Sequence, residues 1–141
     1  MRLRPARPAD AAAIAELLGQ LGYPVPPDVV LPRLERLAAS AADEIWLAEE
    51  DGEVVGLAGL HVSDSLEHDG PVAKISALIV DERLRGKGIG AALVEAAERE
   101  ARRRGCVLIF LTTAERRKEA HGFYRKLGFE ETGRRFAKSL D

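Results

Sequence analysis

The chain has 141 residues, of which 46% are apolar and 31% charged, with a formal net charge of −2. That length allows one compact unit with its own core, and the composition excludes a fibrous or disordered chain. The near-neutral total hides an asymmetry: residues 1–82 carry 6 Lys/Arg against 15 Asp/Glu, and residues 83–141 carry 15 against 8. Residues 8–22 read as a helix, with Pro8 in the first turn, a stripe of Ile14, Leu17, Leu18 and Leu21, and Gly22 to end it. Residues 27–40 form a second helix with Val30, Leu31, Leu34 and Leu37 on one face. The period then changes to alternation. A strand over 45–49, an Asp51-Gly52 turn and a strand over 54–62 make a hairpin. Residues 64–71 are a polar loop, and 72–80 a strand rich in branched residues. A glycine-rich segment follows, then a helix to about Arg104 stopped by Gly105, a strand over 107–112, and a short helix over 117–127. Residues 129–140 are expected to hold one or two final strands. The order predicts a mixed α/β unit spanning 1–141.

Met1 to Arg7 contains no apolar stretch of the kind a secretion signal needs, and no run approaches the roughly 20 apolar residues that cross a bilayer. One cysteine, Cys106, excludes an intrachain disulfide and reads as a small core residue. The expected setting is cytoplasmic. His61, His68, His121 and Cys106 show no metal-ligand spacing.

The chemistry concentrates in Arg85-Gly86-Lys87-Gly88-Ile89-Gly90, where a strand ends and a helix begins. The first amides of a helix lack internal partners and sit at its positive end, which makes an anion site. Glycines let a phosphate approach those amides, and Arg85 and Lys87 add charge. A P-loop string is absent. Gly86 to Ala91 does fit the dinucleotide pattern G-x-G-x-x-[G/A], but only about 50 residues remain for a fold that needs two further βα units. A glycine-rich turn without a ligand would leave the flanking Arg and Lys unexplained.

The segment resembles the acetyl-coenzyme A loop of the GNAT superfamily of N-acetyltransferases, [R/Q]-x-x-G-x-[G/A], at Arg85, Gly88 and Gly90. A second stretch, Ala120-His121-Gly122-Phe123-Tyr124-Arg125-Lys126-Leu127-Gly128-Phe129, resembles that family's A-x-x-F-Y-x-x-L-G-F. The two lie about 30 residues apart, each in the expected element. The resemblance implies a mixed, mostly antiparallel sheet with helices on both faces. It implies transfer of acetyl from acetyl-coenzyme A to a primary amine by direct attack. The backbone of Leu78, Ile79 and Val80 would hold the pantetheine arm, and the amides of Arg85, Gly86, Lys87, Gly88, Ile89 and Gly90 the pyrophosphate. Tyr124 would be the general acid for the departing thiolate; without the family frame it reads as a core tyrosine. Many relatives carry Asn seven residues before the tyrosine, where Arg117 stands here, so either Arg117 meets a phosphate of the cofactor instead or that contact is absent.

An amine with a pKa of about 10 is mostly protonated at neutral pH, so a base is needed. His61, Asp64, Glu67 and His68 are the candidates, with Glu67 first. The acceptor is a small amine, with a lean to a cationic one from the acidic half, or a protein amino group. Nucleic acid is not expected, given the near-neutral charge and 5% aromatics. Neither is a membrane, and homodimers are common in proteins of this type. A non-catalytic acyl-coenzyme A sensor on the same fold is the alternative.

Overall fold

The computed structural model describes residues 1–113 and 118–140. A short strand, β1 (Arg2–Pro5), opens the chain ahead of a 3-10 turn at Pro8–Asp10 and helices α1 (Ala11–Leu21) and α2 (Pro27–Ala38). Strands β2 (Asp43–Glu50), β3 (Glu53–Ser63) and β4 (Val72–Val80) follow, then α3 (Ile89–Arg103), β5 (Leu108–Phe110) and α4 (Lys118–Lys126). The sheet runs β1-β2-β3-β4-β5. Every neighbouring pair is antiparallel except β4 and β5, which are parallel across the α3 crossover.

Helices α1 and α2 cover one face. Ile14, Leu17 and Leu34 pack there against Leu47, Leu57 and Ile79. Helix α3 covers the other, with Val94, Ala97 and Ala101 against Leu60, Ala73 and Ile75, and Leu93 against Val55 and Ala58. Because both faces of β3 are covered, its burial from Val55 to Leu60 is continuous rather than alternating. Each fully buried leucine of this set, such as Leu17 or Leu60, contributes about 2 kcal/mol of apolar transfer. Gly56 lets α3 come close: a Cβ there would stand 3.0 Å from Leu93 Cδ1 and 3.2 Å from the carbonyl oxygen of Ile79.

Three elements differ from the sequence expectation. Strand β1 was not anticipated, because it is four residues long and carries two arginines and a proline. Its Arg4 is nevertheless buried, since its guanidinium donates to both carboxylate oxygens of Asp10, at 2.8 and 2.9 Å, and to Glu49. Burial of a charge is tolerated when it is fully paired. The strand over 107–112 contracts to Leu108–Phe110, for the reason given below. Residues 129–140 form no strand. Glu130, Glu131, Arg134 and Arg135 break the alternation there, and Phe136 and Leu140 both stand 93% exposed.

Candidate active site

The turn after β4 is clamped before the glycines begin. The Asp81 amide donates to the Val55 carbonyl at 2.8 Å. The Asp81 carboxylate, buried, accepts from the Arg83 amide at 3.0 Å and from the Arg83 guanidinium at 2.8 and 3.1 Å. The Arg83 side chain first, and its amide second, pull the Asp81 carboxyl down to about 2, outweighing the upward push of burial. The Glu82 amide donates to Gln20 Oε1 at 2.9 Å, which ties the turn to α1.

Beyond this clamp, Gly86 and Gly88 have φ of +83° and +84°. Only glycine adopts that region without strain. Gly88 caps α3, accepting at its carbonyl from the Ala92 amide at 3.1 Å. Arg85, Gly86, Lys87 and Gly88 are exposed. Ile89 is 3% exposed, its side chain packed with Ala48, Val55 and Leu93, so it can offer a ligand only its backbone. The loop therefore presents the free amides of the first turn of α3 beside two cations, a fit for a pyrophosphate. Gly90 serves a different end. A Cβ on it would meet Phe123 Cζ at 3.1 Å, so its smallness seats α4 on the start of α3.

Strand β5 pairs only with Val72, Ala73 and Lys74. The edge of β4 from Ile75 to Val80 on that side has no ladder partner among the described residues, which is why β5 is short. Leu78, Ile79 and Val80 all lie on this open stretch. Ile79 is buried under α1, while Leu78 and Val80 are half-buried toward α3. A bulge precedes them: Gly59 pairs with Ala77 and Leu60 with Ile75, leaving Ser76 as the extra residue. Ser76 Oγ stands 2.5 Å from where a Gly59 Cβ would be, so glycine at 59 makes room for it.

Tyr124 sits on α4, 8% exposed, its ring edge-to-face with Phe123 at 5.2 Å and Phe129 at 5.9 Å. Since Phe123 rests against Gly90, the fold carries Tyr124 to the same part of the molecule as the glycine loop. Arg117 lies outside the described residues. Glu67 lies in the loop that runs into β4 at the end paired with β5, where the Val107 amide donates to the Pro71 carbonyl at 2.9 Å; the same end of the sheet carries Lys74 and, opposite it, His61. Glu67 is exposed there, and His68 Nδ1 is bonded to Ser65 Oγ at 2.8 Å. His61 differs from these loop residues: its Nδ1 lies 2.9 Å from Asp43 Oδ1. Asp43, opposite His61, and the bulged Ser76 are neighbours that the sequence did not bring together. The only advance signal was a glycine inside a strand, at position 59.

Cys106 is half-buried, and burial pushes its thiol up, away from a reactive thiolate. An open cleft of about 640 Å³ lies between the α1–α2 link and the clamped turn, lined by Glu16, Gln20, Pro24 and Glu82. None of the expected site residues lines it. Among the described residues there is no cluster of His, Cys, Asp and Glu suited to a metal, and no helix long and apolar enough to cross a membrane.

Comparison with known proteins agrees with this geometry. A profile of the acetyltransferase (GNAT) family matches residues 12–129. An aminoalkylphosphonate N-acetyltransferase of Salmonella typhimurium is 40% identical over 94 residues, which are 67% of this chain and 61%, less than two thirds, of that enzyme. An aminoglycoside N(6')-acetyltransferase type 1 of Stenotrophomonas maltophilia is 35% identical over 140 residues, covering 94% of this chain and 88% of the relative. Among solved structures, a transcriptional regulator from Bacillus halodurans C-125 superposes with a TM-score of 0.91 at 26% identity, over 99% of both chains.

Proposed function

Because the chain belongs to the acetyltransferase (GNAT) family, an N-acetyltransferase family that draws on acetyl-coenzyme A, we propose that it acetylates the primary amine of a small molecule at the open edge of β4. One observation carries this reading: the glycine-capped start of α3 opens onto the stretch of β4 that β5 leaves without a ladder partner, and Phe123 of α4, the neighbour of Tyr124, rests against Gly90 at the same helix end. The amides of 85–90 hold the pyrophosphate, and the edge of 78–80 that faces away from β3 holds the pantetheine arm as an added strand would, with the Arg85 side chain, whose Nε donates to the Val80 carbonyl at 3.4 Å, beside it. The thioester then lies at the bulge. The acceptor nitrogen attacks its carbonyl carbon, the C–S bond breaks, and the Tyr124 hydroxyl gives its proton to the departing sulfur.

The small-molecule acceptor follows the relatives, whose names specify aminoalkylphosphonates and aminoglycosides. We read the chain as one catalytic unit acting in the cytoplasm.

A thermal-shift titration with acetyl-coenzyme A, desulfo-coenzyme A and NAD tests the donor. Binding at 100 times Kd adds about 2.7 kcal/mol of stability, several degrees in Tm. Shifts with both coenzyme A ligands and none with NAD are expected. The acceptor is tested with a panel of aminoalkylphosphonates, amino sugars, aminoglycosides and polyamines, read by thiol release. No shift at millimolar coenzyme A, or no thiol release above hydrolysis with any amine, overturns the proposal.

A further inference from the structure

Four residues stand in register across the sheet: Asp43 on β2, His61 on β3, Lys74 on β4 and Phe110 on β5. Their neighbours identify the face. Leu60, Ala73, Ile75 and Ile109 point into the α3 cluster, and Glu44 pairs with Arg104 beyond the end of α3. By alternation the row itself faces the α1–α2 side. It lies past the part of that face which α1 and α2 cover. His61 and Phe110 are accordingly open, 44% and 36% exposed, while the Asp43 side chain is only 13% exposed. The row is also the last rung of the β4–β5 ladder, so the next position along β4 is where the site opens. Ser76, on the same face, is a diagonal neighbour of His61 at about 7–8 Å between Cα atoms.

The donor and the acceptor need opposite faces. Helix α4 and the start of α3 lie on one side of the sheet, so the cofactor arm enters from there. A nucleophile must approach the thioester carbonyl from the face the arm leaves clear, which is the face of the row. An ammonium arriving there must shed a proton, since at a pKa of about 10 only roughly one molecule in a thousand is neutral at pH 7.

We propose that His61, oriented by Asp43, is the base that takes this proton, directly or through one water. Asp43 accepts from His61 Nδ1–H, which leaves the Nε2 lone pair for the amine. The ammonium N–H bond breaks, the proton moves to Nε2, and the imidazolium is stabilised by the Asp43 carboxylate. Asp43 is held as the anion. Burial alone would raise it, but bonds from Ser40 and His61, with the charge of Arg104, bring it below the usual carboxylate range. Lys74 is the cross-strand neighbour of His61 on the other side. The inference rests on the acetyl-transfer reading above and names its base.

Two measurements on the full chain decide it. Long-range ¹H–¹⁵N spectra of neutral His61 are expected to place the proton on Nδ1; a proton on Nε2 overturns the assignment, whatever the acceptor. For the most active amine of the panel, His61→Ala is expected to lower kcat/KM by about 10²-fold or more and to remove its fall at acid pH. Added imidazole restores rate, and the acetyl-coenzyme A thermal shift persists. Asp43→Asn, acting through His61, is expected to lower kcat/KM and displace the acid limb. Transfer by His61→Ala within twofold of the native rate, with its acid limb intact, overturns the inference and leaves the acetyl-transfer reading standing. A native chain that acetylates no amine removes both.

Discussion

Asp81→Asn separates the charge of the clamp from its shape. An asparagine Oδ1 can still accept from the Arg83 amide, so the substitution removes chiefly the ion pair. The native carboxyl is held down to about 2 against an ordinary 3.8, which corresponds to roughly 2 kcal/mol. Arg83 is 69% exposed, so solvent screens part of this, and about 1–2 kcal/mol is the expected loss at pH 7. The sign follows from the depressed value. The contribution is complete above the unfolded pKa, near pH 4, and drains away as pH falls through about 2. Urea unfolding of native chain and variant at pH 7, 5, 4 and 3 should show a gap that is constant from 7 to 5 and roughly halved at pH 3. The same variant should bind acetyl-coenzyme A several-fold more weakly, because the turn that aims the glycine loop is loosened. A gap as large at pH 3 as at pH 7 would mean that shape, not charge, holds the turn. No gap at pH 7 would mean that the clamp contributes nothing.

Tyr124→Phe is expected to lower kcat at least tenfold while the acetyl-coenzyme A thermal shift is retained; an unchanged kcat removes the hydroxyl from the mechanism. Gly90→Ala gains up to about 1 kcal/mol of helix propensity but forces Phe123 aside by a few tenths of an ångström. Stability should change by less than about 1 kcal/mol, whereas kcat should fall severalfold as α4 moves, a loss that rate assays beside urea unfolding would separate. Glu67→Gln should leave the pH–rate profile and kcat/KM within twofold, because the proposed base is His61 and not this exposed loop carboxylate; a displaced acid limb would return the role to Glu67.

Much of the architecture was legible because it is local. Stripes at helical spacing found α1 and α2, Asp51-Gly52 found the β2–β3 hairpin, and the glycine string found the start of α3. What escaped reading depends on pairing. Strand β1 exists because β2 offers it an edge, and Arg4 is tolerated inside because Asp10 and Glu49 arrive from elsewhere in the chain. Residues 129–140 were expected to hold one or two strands, but their charges break the alternation a half-buried strand needs. His61 was among the candidate bases, but Glu67 of the polar loop at 64–71 was placed first. Sequence distance hid Asp43, which lies 18 positions from His61 yet directly opposite it.

The glycines show why a short motif is both informative and incomplete. Gly86 and Gly88 are required by their backbone conformation, and there the motif reports the anion loop directly. Gly90 has ordinary helical backbone, and the space it leaves is filled by Phe123, so the same motif also records where the second signature docks. This is why two stretches about 30 residues apart belong together: one supplies the gap and the other the ring that fills it. Gly59 belongs to neither stretch, yet it makes room for the bulged Ser76 on the acceptor side, one row from His61. The donor side is thus written in contiguous strings, because one loop and one helix suffice to grip a cofactor. The acceptor side as proposed is written across β2, β3, β4 and β5, one residue to a strand, and only the register of the sheet assembles that row.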